Sequence, residues 1–120
     1  MARVLIVEDI SLIALDLKDM LEELGHEVVG MAATVEDALA LAIELDPRPD
    51  FAMLDANLHG ESAVPVAIGL RDQNIPFIVC SGYGEEFLSS LGMDGTRLVK
   101  PFDMTQLERA IAAIGSSIGH

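Results

Sequence analysis

The sequence predicts a three-layer α/β domain, a parallel sheet with helices on both faces. Four continuous apolar runs carry that reading: Val4-Leu5-Ile6-Val7, Phe51-Ala52-Met53-Leu54, Phe77-Ile78-Val79-Cys80 and Leu98-Val99. They lack the alternation of a half-exposed strand and suit strands buried on both faces. Strand and helix signals also alternate five times along the chain, an order that right-handed crossovers turn into parallel strands. A third observation concerns function. The runs lead into Glu8-Asp9, Asp55, Ser81 and Lys100-Pro101. In a parallel sheet the carboxyl ends of the strands share one edge, so three acids, a hydroxyl and an ammonium would meet in one crevice.

Each element has its own signal. After the first run, Ile10, Ile13, Ala14, Leu17, Leu21 and Leu24 form an apolar helical stripe with acidic residues opposite, and Gly25 ends that helix. Glu27 to Ala32 reads as the second strand. Thr34, with Asp37 three residues on, opens a helix running to about Leu45, and Pro47 and Pro49 stop it. The third strand ends at Asp55, and Asn57, His59 and Gly60 mark a loop. A third helix spans about Ser62 to Asp72, with Pro65 in its first turn, where a missing N–H costs little. Asn74 and Pro76 lead into the fourth strand. Ser81-Gly82-Tyr83-Gly84 is turn-rich, and Glu85 to Leu91 allows only a short fourth helix before Gly92 and Gly95. The fifth strand is brief, Arg97 to Val99. The last helix starts after Asp103, which forms a capping-box pattern with Gln106, and ends near Gly115.

A length of 120 residues suits one domain spanning 1–120, with no internal repeat or linker and no room for a separate output module. The 20 acidic and 7 basic residues leave a formal net charge of −13, which opposes direct nucleic-acid binding and favours protein partners. No apolar stretch reaches membrane-spanning length, and Met1-Ala2-Arg3 runs into the first strand without a leader pattern, so a cytoplasmic protein is expected. Cys80, the lone cysteine, lies within an apolar run and reads as a buried structural thiol. His26, after a helix-ending glycine, is expected to face solvent, and His59 reads as an exposed loop contact; His120 ends a tail expected to fray.

The crevice residues suggest a chemistry. Two carboxylates about 4 Å apart repel by roughly 4 kcal/mol at an effective dielectric near 20, so Glu8, Asp9 and Asp55 together need a cation or a proton. A hard divalent ion with oxygen ligands answers this, and Mg²⁺ takes one or two carboxylates, water and phosphate oxygens. A carboxylate can then attack phosphorus to give an acyl phosphate. Asp55 is the candidate nucleophile, with Lys100 as a point charge on one phosphoryl oxygen and the Ser81 hydroxyl as a donor to another.

These residues carry a resemblance. Val7-Glu8-Asp9 after the first strand, Asp55 after the third, Ser81 after the fourth and Lys100-Pro101-Phe102 after the fifth resemble the receiver domain of two-component response regulators, over essentially the whole chain. The resemblance implies a flavodoxin-like (βα)5 fold with strand order 2-1-3-4-5. It implies that Asp55 accepts a phosphoryl group from a phosphohistidine on a histidine kinase or histidine phosphotransfer protein. Mg²⁺ would be held by Asp9, Asp55 and the backbone carbonyl of Asn57, with Glu8 acting through water. Ser81 and Lys100 would contact the phosphoryl group, and the Lys100-Pro101 peptide would be cis. Output would pass to a protein not identifiable from the sequence, through the face of the fourth helix, fifth strand and fifth helix, or by phosphoryl shuttling.

Some positions depart from the usual receiver pattern. Three residues before the strand-five lysine, where receivers usually carry an aromatic switch residue, stands Arg97. Tyr83 is an alternative reporter, and Asn57 and Tyr83 are expected to tune the lifetime of the acyl phosphate. The Ser-Gly-Tyr-Gly segment and the short interval to Lys100 resemble stand-alone receivers with a reduced fourth helix, often paired with bacterial kinases of the HWE type. A short, glycine-flanked helix makes few apolar contacts, so 83–96 is expected to be mobile. Two alternatives stay open. An aspartyl-phosphate phosphohydrolase would need an acid two positions beyond the nucleophile, where Asn57 stands; a binding-only pseudo-receiver would have the fold without the phosphate.

Overall fold

The computed structural model describes residues 1–82 and 96–115. Five long strands make the sheet: β1 (Arg3–Val7), β2 (Glu27–Ala32), β3 (Phe51–Asp55), β6 (Phe77–Ser81) and β7 (Thr96–Val99). A ribbon of two short strands, β4 (Asn57–Leu58) and β5 (Glu61–Ser62), follows β3. The helices are α1 (Ser11–Glu23), α2 (Val35–Glu44), α3 (Val64–Asp72) and α4 (Met104–Gly115).

The sheet runs β2-β1-β3-β6-β7, and every neighbouring pair is parallel. Among the five long strands this is the 2-1-3-4-5 order implied by the resemblance. Side-chain alternation sorts each strand between two cores. Leu5, Val7, Ala52, Leu54, Phe77 and Val79 pack with α2 and α3. Val4, Ile6, Phe51, Met53, Ile78, Cys80 and Leu98 pack with α1 and α4. All but a few of these are essentially inaccessible to water, which explains why the runs show no polar alternation. A fully buried Leu or Ile contributes roughly 1.5–3 kcal/mol relative to an exposed one.

The helix boundaries follow local chemistry. Gly25 stands at φ 92 directly after α1, a left-handed conformation in which a β-carbon would be strained. Thr34 Oγ1 accepts from the Asp37 amide at 3.1 Å, the cap that the sequence suggested for α2. At α4 the capping box is reciprocal: Asp103 Oδ1 accepts from the Gln106 amide at 2.8 Å, and Gln106 Oε1 accepts from the Asp103 amide at 2.9 Å. Two boundaries differ from expectation. The loop after Asp55 contains an antiparallel ribbon turning at His59 (φ 52) and Gly60 (φ 82), and α3 begins at Val64 because Ser62 belongs to that ribbon. His26 is half-buried instead of solvent-facing, because its Nδ1 accepts from the Ala2 amide at 3.0 Å and its ring meets Phe51 edge-on. Tyr83, the expected fourth helix, the expected mobile segment up to residue 95 and His120 lie outside the described residues.

Candidate functional site

Strand alternation decides which polar ends meet. Glu8 continues the parity of Val4 and Ile6, Asp55 that of Phe51 and Met53, and Lys100 that of Leu98. All three therefore emerge on the α1/α4 side of the carboxyl edge, where β1 and β3 diverge to feed helices on opposite faces. Lys100 Nζ lies 3.1 Å from Glu8 Oε1 and 3.2 Å from Asp55 Oδ1. The Lys100–Pro101 peptide is cis.

Glu8, Asp9 and Asp55 each offer a carboxylate oxygen, and these atoms lie within 4.8 Å of one another. Glu8 and Asp55 are buried, so water cannot screen the repulsion between them. Burial, then the Asp9 and Asp55 carboxylates, push the Glu8 carboxyl up to about 7. Its Oε2 also accepts from the Ile10 amide at 3.1 Å, which pulls the other way. Burial disfavours the Asp9 carboxylate too, but bonds from the Glu8 carboxyl and the His59 amide reverse this and leave it below the ordinary aspartate range. Burial likewise opposes the Lys100 charge, yet Asp55 and Glu8 outweigh it and raise its proton affinity. The raised proton affinities of Glu8 and Lys100 thus both act to relieve the negative charge crowded at this edge.

The β4–β5 ribbon closes one side. The His59 amide donates to Asp9 Oδ2 at 3.0 Å, and the Gly60 amide donates to Asn57 Oδ1 at 2.9 Å, holding the turn against the acids. Asn57 itself is exposed, and its amide makes a long 3.4 Å bond to Asp55 Oδ1. His59, read from the sequence as an exposed loop contact, is exposed, and it reaches the site both through its backbone amide and through its imidazole, whose Nδ1 lies 3.8 Å from Asp9 Oδ2; the sequence hints at this through the His-Gly turn signal.

Ser81 and Arg97 belong to the other parity, that of Val79, on the α2/α3 side. Arg97 Nε donates to Ser81 Oγ at 3.2 Å, and the Ser81 side chain is buried. Cys80, in the α1/α4 core beneath the acids and Lys100, has its thiol pushed up to about 12 by burial, which makes it an inert packing residue as expected. A cleft of about 380 Å³ adjoins the acids, lined by Ile13, Leu17, Met20, Cys80, Pro101 and Phe102, with Glu8, Asp16 and Lys100 as its polar wall.

The fold and this acid–lysine edge define a class, the signal-receiving α/β domains. Residues 4–112 match the response regulator receiver domain, and the chain belongs to that family. It is 35% identical over 113 residues to the transcriptional regulatory protein PdtaR of Mycobacterium tuberculosis, covering 91% of this chain and 54% of the relative. It is 34% identical to the phyllosphere-induced regulator PhyR of Methylorubrum extorquens, covering 91% and 42%. The chain thus spans about half the length of these curated relatives or less. The solution structure of SdrG from Sphingomonas melonis superposes with a TM-score of 0.81 at 40% identity, covering 95% of this chain and 96% of that one. Among the described residues, no helix is long and apolar enough to cross a membrane.

Proposed function

We propose that Asp55 is the phosphoacceptor of this receiver domain, and that 1–120 works as a receiver unit that passes its state to other proteins. The observation that carries the reading is the Lys100 ammonium bridging Asp55 and Glu8 inside a buried acid cluster. Asp55 Oδ attacks phosphorus, an Asp55 O–P bond forms, and the P–N bond to a donor imidazole breaks. The electron pair of that bond stays on the ring nitrogen, and the imidazole leaves neutral because the other ring nitrogen of the phosphohistidine already carries a proton. Lys100 neutralises charge that grows on the phosphoryl oxygens, and the Ser81 hydroxyl donates to another of them. Burial keeps water from competing for these groups.

The donor set fits a hard divalent cation, since clustered carboxylate oxygens with an exposed rim leave room for water and phosphate ligands. Asp9, Asp55 and the Asn57 carbonyl would hold Mg²⁺, with Glu8 reached through water. The ion would supply electrostatic stabilisation of the transferring group. Asn57, with its side chain engaged by Gly60, is a candidate to tune water access and hence acyl-phosphate lifetime.

The donor is a histidine kinase or histidine phosphotransfer protein, and the Ser-Gly-Tyr-Gly segment favours kinases of the HWE type. Ile10 and Ile13 are exposed beside the apolar cleft, which supports docking of a partner helix where its phosphohistidine can reach Asp55. The test is labelling with a small phosphodonor and Mg²⁺, read by intact mass. The expected result is a gain of one phosphate in the wild type, abolished by Asp55→Asn and by chelation. Labelling that survives Asp55→Asn would remove the assignment, and none with any donor would favour a binding-only domain.

A further inference from the structure

We propose that Arg97 is a positioning residue that commits the Ser81 hydroxyl proton to the phosphoryl group on Asp55; this rests on the phosphoacceptor reading above. Four observations lead to it. Arg97 Nε donates to Ser81 Oγ at 3.2 Å. The Ser81 backbone is fixed from the same neighbouring strand, since the Lys100 amide donates to the Ser81 carbonyl at 2.8 Å. Ser81 is 1% exposed, so water competes poorly for its hydroxyl. Its neighbour Cys80 pairs with Asp55 across β3 and β6, which places Ser81 one residue further along the carboxyl edge; its side chain starts from the α2/α3 side, and a phosphoryl group standing out from Asp55 above that edge is what its hydroxyl would turn toward.

The stoichiometry of the hydroxyl does the rest. A serine hydroxyl has one proton and two lone pairs, whereas a guanidinium has donors and no acceptor. Arg97 can occupy only a lone pair of Ser81; it cannot take the proton. That proton is left for an acceptor at the carboxyl edge, and a phosphoryl oxygen is the strongest one the site would hold. A cationic donor on the oxygen also makes its O–H a better donor, because linked hydrogen bonds polarise one another. The same chain works in reverse. A phosphoryl group that draws on the Ser81 proton strengthens the Arg97–Ser81 bond and transmits the charge state of Asp55 to β7, the edge strand of the sheet. Arg97 thus couples the site to the surface by tightening a polar contact through a permanently charged donor, which an aromatic side chain at this position would not supply.

The test uses the intact chain in two measurements. The first follows the Arg97 Nε–Hε resonance by ¹⁵N NMR as Mg²⁺ and fluoroberyllate, a phosphoryl mimic, are added. A downfield response in the wild type that is lost in Ser81→Ala is expected. The second compares labelling rates with the small phosphodonor, thermal melts checking that each variant folds. Arg97→Met and Ser81→Ala are each expected to slow labelling about tenfold, the double variant losing little more, as for one shared charge-assisted bond. Losses that multiply in the double variant, or an Arg97 response independent of Ser81, would overturn this inference while leaving Asp55 as the acceptor. A wild type that takes no label would overturn both.

Discussion

Glu8 is held at the edge of charge, and that makes its contribution to stability pH-dependent. Its folded value, about 7, stands above the ordinary carboxylate value of 4.5. Folded protein therefore keeps a proton that unfolded chain releases between those limits, so the stabilisation is full below about pH 4.5 and is lost as pH rises through 7. In a chelating buffer at pH 8, Glu8→Gln is expected to stabilise the fold by roughly 1–2 kcal/mol, with no gain near pH 4.5. Lys100→Met is expected to act oppositely at pH 8, costing roughly 1–3 kcal/mol because Glu8 and Asp55 lose their counter-charge. Urea denaturation at the two pH values checks both signs; stabilisation by Lys100→Met would contradict the ion-pair account. The sequence made the charge cluster legible, because each acid and the lysine ends an apolar run. It did not reveal the Arg97–Ser81 bond, since a spacing of sixteen residues between two strands carries no periodic signal.

Elements obeyed their local signals where a side chain caps a backbone group. Thr34 and the Asp103–Gln106 box lie where the sequence put them, because capping needs only residues three apart. Asp103→Ala is expected to cost about 1 kcal/mol of stability, read as a lowered urea midpoint with an unchanged slope. The ribbon β4–β5 was missed for the complementary reason. Two residues per strand are too few to show alternation, and its place is set by the bond from the His59 amide to Asp9, fifty residues away in the chain. Gly69 is a similar case. A β-carbon there would lie 2.5 Å from Leu39 Cδ2, so this glycine lets α3 approach α2, which no local rule for helices would suggest.

At the scale of the whole molecule, a net charge of −13 spread over a small domain works against compaction, and the acid cluster concentrates that repulsion at one edge. Mg²⁺ is expected to raise the melting temperature by several degrees at ten times its dissociation constant, since binding there contributes about 1.4 kcal/mol. Sodium chloride at matched ionic strength, which only screens, is expected to give a smaller rise. Removing the acceptor carboxylate with Asp55→Asn should bring the two salts together; a Mg²⁺ effect that persists unchanged would place the cation elsewhere on the acidic surface.

By itself the sequence determined the strands, most helix ends, the polar residues at the carboxyl edge and the family resemblance. All of these depend on local patterns: apolar runs, capping pairs, or residues that follow a strand. Only the tertiary structure decided how those polar residues divide. Side-chain parity together with strand order puts Glu8, Asp55 and Lys100 on the α1/α4 side and the Ser81–Arg97 pair on the other. The physical reason is that parity is fixed within each strand, but which ends come within hydrogen-bonding distance depends on register between strands, and register is set by the packed cores on both faces of the sheet.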